Sequence, residues 1–115
     1  MRGGAVLILE DETNLLEVLV MHLSEAGYEV HGAVDANEAM AALQGGGVGL
    51  AVIDVGAHGI RIAREAQSRN IPIVLTSGRP VFFEIGGIGD ILRKPFSLNE
   101  LLHRVEDGFG RLSAV

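Results

Sequence analysis

The sequence predicts a single doubly wound α/β domain, a five-stranded parallel sheet with helices on both faces. Short apolar runs such as residues 5–9 and 50–53 are continuous instead of alternating, as strands buried on both faces of a parallel sheet are. These runs alternate with helical patterns five times. That repetition implies βαβ units with right-handed crossovers, which place helices on both faces. Three of the runs also stop at charged residues, and parallel strands all end on one side. The length of 115 residues suits one domain, 1–115, with one core.

Residues 5–9 are the first strand and lead into Glu10, Asp11 and Glu12. Thr13 or Asn14 can cap the next helix, in which Leu15, Leu16, Leu19, Leu23 and Ala26 recur at helical spacing until Gly27 stops it. Residues 28–34 read as a short second strand. Asp35 with Glu38 three residues on is a capping-box signature for a second helix reaching about Gln44. Gly45, Gly46 and Gly47 break that helix, and with no Lys-Ser/Thr after them they form a linker and not a phosphate loop. Strand three is Leu50-Ala51-Val52-Ile53-Asp54, followed by a glycine-containing loop over 55–59. Residues 60–69 make a modest helix with Ile60, Ala63 and Ala66 on one side, and 71–77 supply strand four. Across 79–89, Pro80 and three glycines leave mostly loop, with Phe82 and Phe83 either anchoring the segment in the core or, if exposed, forming an apolar partner surface. Residues 91–94 are a fifth strand closed by Pro95, which lacks a ladder N–H. Ser97 and Glu100 form another capping box, and Leu98, Leu101, Leu102 and Val105 carry the last helix to about Gly108.

Charge and composition exclude several classes of function. The net charge of −6, with nine scattered Lys and Arg, argues against a nucleic-acid surface, because phosphate backbones need clustered cations. No apolar run approaches the roughly 20 residues of a membrane span. The absence of cysteine removes disulfides and thiolate metal sites and fits a reducing, cytoplasmic setting. His22, His31, His58 and His103 share no metal spacing and read as surface side chains. His58 is the one near Asp54.

The parallel topology brings the strand ends together: Glu10 and Asp11 after strand one, Asp54 at the end of strand three, Lys94 at the end of strand five. Carboxylates about 4 Å apart repel by about 4 kcal/mol per pair at an effective dielectric of 20. Lys94 offsets one charge, and a divalent cation balances the rest. Oxygen-only ligands select a hard ion, and Mg²⁺ is the one that accepts a few carboxylates with waters and a phosphate. An acid nucleophile with a lysine, Mg²⁺ and a hydroxyl, Ser77 or Thr76, has the parts of a phosphoryl-transfer site.

The strings VLILEDE at 6–12, LAVID ending at Asp54, IPIVLTSG at 71–78 and LRKPFS at 92–97 resemble, in that order, a response-regulator receiver domain of the chemotaxis-regulator type, here a short, atypical single-domain member. The family, not this sequence, supplies the strand order 2-1-3-4-5. The resemblance implies a phosphoacceptor in two-component signalling that catalyses only its own phosphoryl transfer and dephosphorylation, not an enzyme acting on a separate substrate. Asp54 would take the phosphoryl group from a sensor histidine kinase or histidine phosphotransfer protein. Asp11 would bind Mg²⁺ directly, Glu10 through a water, and Gly56 through its main-chain carbonyl. Lys94 would hold phosphoryl oxygens, and counting from Pro72 makes Ser77 the switch hydroxyl. Signalling would pass to a downstream protein target by contact or phosphorelay.

Departures from the family pattern are equally specific. The loop after Asp54 is trimmed and lacks the usual proline. The span from Ser77 to Lys94 is short, so the fourth helix is expected to be reduced or absent. Ile91 stands where an aromatic switch residue is usual, which assigns the readout to a rearrangement of 79–89, and Arg79 holds a position that often faces the phosphorylation site. With no output domain after Val115, the expected form is a stand-alone receiver. The rival readings are a pseudo-receiver that binds partners without phosphorylation, a small phosphate-ester hydrolase and a fragment of a longer regulator. The presence of every acid and the lysine disfavours the first, and the lack of a cap or substrate pocket disfavours the second.

Overall fold

The computed structural model describes residues 4–78 and 90–113, and the side chains of these through residue 110. Arg79, Phe82, Phe83 and the expected reduction of the fourth helix, all within 79–89, lie outside the described residues. The elements are β1 (Ala5–Leu9), α1 (Thr13–Glu25), β2 (Val30–Ala33), α2 (Ala36–Gln44), β3 (Val48–Asp54), a 3-10 turn (Val55–Ala57), α3 (Gly59–Ser68), β4 (Ile73–Ser77), β5 (Asp90–Arg93) and α4 (Leu98–Ser113). The sheet order is β2-β1-β3-β4-β5 and every pairing is parallel. The predicted fold class and strand order are thus observed, with four α-helices among the described residues.

Strand alternation divides the core into two layers. Leu7, Leu9, Ala51, Ile53, Ile73 and Leu75 pack against Ala39 and Leu43 of α2 and Ile62, Ala63 and Ala66 of α3. Val6, Ile8, Leu50, Val52 and Val74 meet Leu16, Leu19 and Leu23 of α1 and Leu101, Val105 and Phe109 of α4. Both faces of the central strands are therefore apolar, which is why their sequence runs do not alternate.

The capping boxes are present. Ser97 and Glu100 exchange hydrogen bonds, Glu100 N–H to Ser97 Oγ and Ser97 N–H to Glu100 Oε1, both 3.0 Å. At α2 the Glu38 N–H donates to Asp35 Oδ1, while Glu38 Oε1 accepts from Val34, one residue further back than a regular box. Strand four starts at Ile73, two residues later than predicted, because Pro72 has no N–H and joins the ladder only through its carbonyl, which accepts from Ala51.

Two helix ends differ from the sequence expectation. The cap of α1 is Glu12, not Thr13 or Asn14: its backbone is extended and its carboxylate accepts the Leu15 N–H at 3.1 Å. The last helix does not stop near Gly108 but runs on to Ser113. Each helical glycine opposes this by about 1 kcal/mol. Phe109 overcomes them, being 2% exposed and stacked on Tyr28 with ring centroids 5.5 Å apart. Phe109→Ala is expected to lower stability by about 3–5 kcal/mol in urea titrations and to fray the last turns of α4, seen as faster amide exchange there.

Candidate functional site

The site begins where the ladders end. The Glu10 N–H still donates to Ala33 O at 3.0 Å, extending the β1–β2 ladder one step past Leu9 and holding Glu10 at the sheet's carboxyl edge. Glu10 is 1% exposed. Oε2 accepts the Glu12 N–H at 3.1 Å, and Oε1 accepts from Lys94 Nζ at 2.9 Å. Asp54, also buried, closes β3 and caps the following turn, its Oδ1 accepting the Gly56 N–H at 3.1 Å. Lys94 Nζ lies 3.6 Å from Asp54 Oδ2, an ion pair looser than its hydrogen bond to Glu10. One ammonium thus spans two buried carboxylates. Asp11 is exposed, and a carboxylate oxygen from each of Glu10, Asp11 and Asp54 lies within 4.8 Å of the others.

The titration behaviour follows from this enclosure. Burial raises the Glu10 carboxyl above its ordinary value, assisted by the charge of Asp54, and the hydrogen bonds from Lys94 and the Glu12 N–H only partly oppose it. For Lys94, burial alone would lower the ammonium. The Glu10 hydrogen bond and the charges of Asp54 and Glu10 outweigh it, so the net shift is upward. Lys94 is accordingly charged at neutral pH. Three acids against one lysine leave an excess of about two negative charges, with oxygen donors only. That donor set fits a hard divalent cation such as Mg²⁺.

The hydroxyls stand on adjacent register steps. Thr76 pairs with Asp54 across β3–β4, whereas Ser77 pairs with Arg93 and its carbonyl accepts the Lys94 N–H at 2.8 Å. Both side chains are buried. Gly56 is exposed within the turn. Ile91 is half-buried against the core on the α2–α3 side, and its carbonyl accepts from Arg104 Nη1 at 3.2 Å. Arg104 also pairs with Asp90 at 2.7 Å, fixing α4 to the edge strand.

The strand-end acids and Lys94 are therefore brought together as the sequence predicted. His58 is exposed and serves as the corner of the trimmed loop, in left-handed backbone with φ 57°. His31 is exposed beside Glu29, and His103 is exposed. His22 is not a plain surface residue: it is half-buried, with Nε2 enclosed and without a protein partner. Sequence reasoning missed the part played by Glu12, whose N–H steadies Glu10 while its side chain caps α1. It also missed Arg104. The sequence carried no signal for Glu12, since glutamate is not among the residue types that favour the cap position and Thr13 and Asn14 are.

Comparison with known proteins agrees with this geometry. The profile described as Response regulator receiver domain matches residues 6–106. The chain is 30% identical over 113 residues to the transcriptional regulatory protein TcrA of Mycobacterium tuberculosis, covering 90% of this chain and 45% of that protein. It is 31% identical over 115 residues to the uncharacterized transcriptional regulatory protein YkoG of Bacillus subtilis, covering 91% and 50%. The chain spans about half the length of the curated relatives it matches. Among solved structures it is similar to a CheY-like receiver domain from Methanospirillum hungatei, with TM-score 0.88, 21% identity and coverage of 96% and 97%. A response regulator receiver protein from Sinorhizobium medicae gives TM-score 0.78, 28% identity and coverage of 94% and 95%. No helix among the described residues is long and apolar enough to cross a membrane.

Proposed function

The chain belongs to the response regulator receiver domain family, and from that membership we propose that Asp54 accepts a phosphoryl group from the phosphohistidine of a sensor histidine kinase or histidine phosphotransfer protein. The observation that carries this reading is the trio of carboxylates within 4.8 Å, bridged by one lysine. Asp11 would bind Mg²⁺ directly, joined by Asp54 and the Gly56 carbonyl. Glu10, whose oxygens accept the Glu12 N–H and the Lys94 ammonium, would act through a water. When bound, Mg²⁺ neutralises charge on the phosphoryl oxygens.

In the transfer, a carboxylate oxygen of Asp54 attacks phosphorus while the P–N bond breaks, and the imidazole leaves with that electron pair and takes a proton from water. The Gly56 N–H fixes the carboxylate's orientation by holding Oδ1. Lys94 moves its ammonium from Glu10 toward a phosphoryl oxygen, a short shift because it already lies 3.6 Å from Asp54. The phosphoryl group occupies the crevice beyond the strand ends. The hydroxyl one step past Asp54 and adjacent to Lys94, that of Ser77, is therefore at its level, whereas Thr76 is level with Asp54 itself.

A donor surface adjoins the site. A cleft of about 420 Å³ is lined by Leu15, Leu19, Phe96 and Leu98 beside Lys94. On the neighbouring face of α1, Val18 and Met21 are 46% and 59% exposed. These apolar residues suit a helical phosphohistidine carrier. Output passes by protein contact or onward phosphoryl transfer, with Ile91 as the half-buried switch position.

Incubation with a small phosphodonor and Mg²⁺ is expected to yield a single labile adduct, detected by mass, that does not form in excess chelator. The same Mg²⁺ stabilises the unmodified protein by about 2.7 kcal/mol at 100 times its dissociation constant, read as a higher melting temperature. A protein that forms no adduct under these conditions is a pseudo-receiver.

A further inference from the structure

The loop between β3 and α3 is so short that the first residue of α3, Gly59, lies against the acceptor strand itself. Gly59 is buried. A methyl group there would collide with the Asp54 carbonyl oxygen, come within 2.9 Å of its carbonyl carbon and within 2.6 Å of Ile53 Cγ2. The backbone of Gly59 is not left-handed, so the requirement is for space and not for conformational freedom. The colliding atoms have nowhere to retreat. Asp54 is paired with Thr76 in the ladder, and Ile53 is fully buried. On the other side α3 is held by buried Ile62, Ala63 and Ala66.

We propose that Gly59 is a positioning residue for the acceptor: its missing side chain lets α3 seat on the Asp54 peptide, and that contact sets the carboxylate's placement toward Lys94 and the acidic cluster. The proposal rests on Asp54 as phosphoacceptor for its kinetic consequence, but its structural claim can be read without any phosphoryl chemistry. A side chain at position 59 must tilt either the Asp54 peptide or α3. The Asp54 side chain is tethered through the Gly56 N–H, so the tilt reaches the carboxylate and disturbs its 3.6 Å relation to Lys94. A misplacement near 1 Å is enough to slow a reaction about 100-fold.

The test compares Gly59→Ala with Ile62→Val, which loosens α3 without touching Asp54, and Gly45→Ala, a glycine at the far end of the sheet. Two quantities are measured where each variant is folded: the Gly56 amide resonance of the unphosphorylated protein, and the rate of adduct formation with a small phosphodonor. Gly59→Ala is expected to move the Gly56 resonance and slow the reaction at least tenfold, with the two controls leaving both unchanged. Inserting two residues between Ala57 and His58 in the Gly59→Ala protein lets α3 begin further from Asp54, and should restore both. A wild-type resonance and rate in Gly59→Ala, or an equal slowing in Ile62→Val, overturns the proposal. If Gly59→Ala does not fold, the lengthened variant decides: a wild-type Gly56 resonance supports positioning, and a non-native one overturns it. If the wild-type protein takes no phosphoryl group, the proposed function fails while the Gly56 resonance still decides the role of Gly59.

Discussion

Asp54→Asn is expected to abolish adduct formation while leaving the protein about as stable as the wild type in metal-free buffer. The amide oxygen has no charge with which to attack phosphorus, so the loss should be complete instead of graded. The fold should tolerate the change because asparagine keeps an oxygen that can accept the Gly56 N–H now held by Oδ1. The stability argument is a balance of distances. At an effective dielectric of 20, the variant loses one attraction of about 4.6 kcal/mol, to Lys94 at 3.6 Å, and sheds two repulsions of at least about 3.5 kcal/mol each, toward Glu10 and Asp11 within 4.8 Å. Asp11 is exposed, so its share is screened to about 1 kcal/mol or less, and the gains and the loss cancel to within about 1 kcal/mol. Mg²⁺ should stabilise the variant less than the wild type, since one ligand charge is gone. Thermal melts with and without Mg²⁺, paired with mass measurement after phosphodonor treatment, check all three statements. A labile adduct that still formed on the Asp54→Asn protein would move the acceptor elsewhere.

The sheet and the acidic site were legible in the sequence for the same reason. Buried parallel strands must be apolar on both faces, so 5–9, 50–53 and 73–75 announce themselves, and the acids that follow them converge because parallel strands end on one side. What was not legible depends on partners distant in sequence. The α4 helix outlasts its glycines because Phe109 reaches Tyr28, 81 residues earlier. The cap of α1 falls on Glu12 because that residue's N–H is drawn to the Glu10 carboxylate. Gly59 looked like one more loop glycine among several, since nothing in a local pattern says that a helix will seat on the peptide of the acceptor. Arg104 reads as a solvated helix charge until Asp90 and the Ile91 carbonyl are placed beside it.

Lys94→Ala is expected to be the more damaging change overall, because Lys94 serves both the chemistry and the fold. Removing a preorganised cation aimed at developing negative charge typically slows a reaction about 100- to 1,000-fold, and the adduct should form correspondingly slowly even in saturating Mg²⁺. For stability, the variant leaves Glu10, 1% exposed, without the ammonium at 2.9 Å. Breaking a buried pair from one side costs about 3–5 kcal/mol, and the lysine's one-quarter exposure places this case at about 2–3 kcal/mol. The two partners have pH signatures of the same sign in different windows in metal-free buffer. The wild-type Lys94 contribution is fully present below the ordinary lysine value of 10.5 and is lost only as pH rises through its raised folded value. Glu10, also raised, contributes fully below its ordinary 4.5 and loses that contribution as pH climbs through its folded value. Without Lys94 the Glu10 carboxyl rises further, so Lys94→Ala should regain stability on acidification from neutral pH and lack the wild type's alkaline loss from this group. Urea midpoints between about pH 4 and pH 11 resolve both limbs. A variant equal to the wild type at pH 7 in both stability and adduct rate would show that the lysine bridge holds neither the acids nor the reaction.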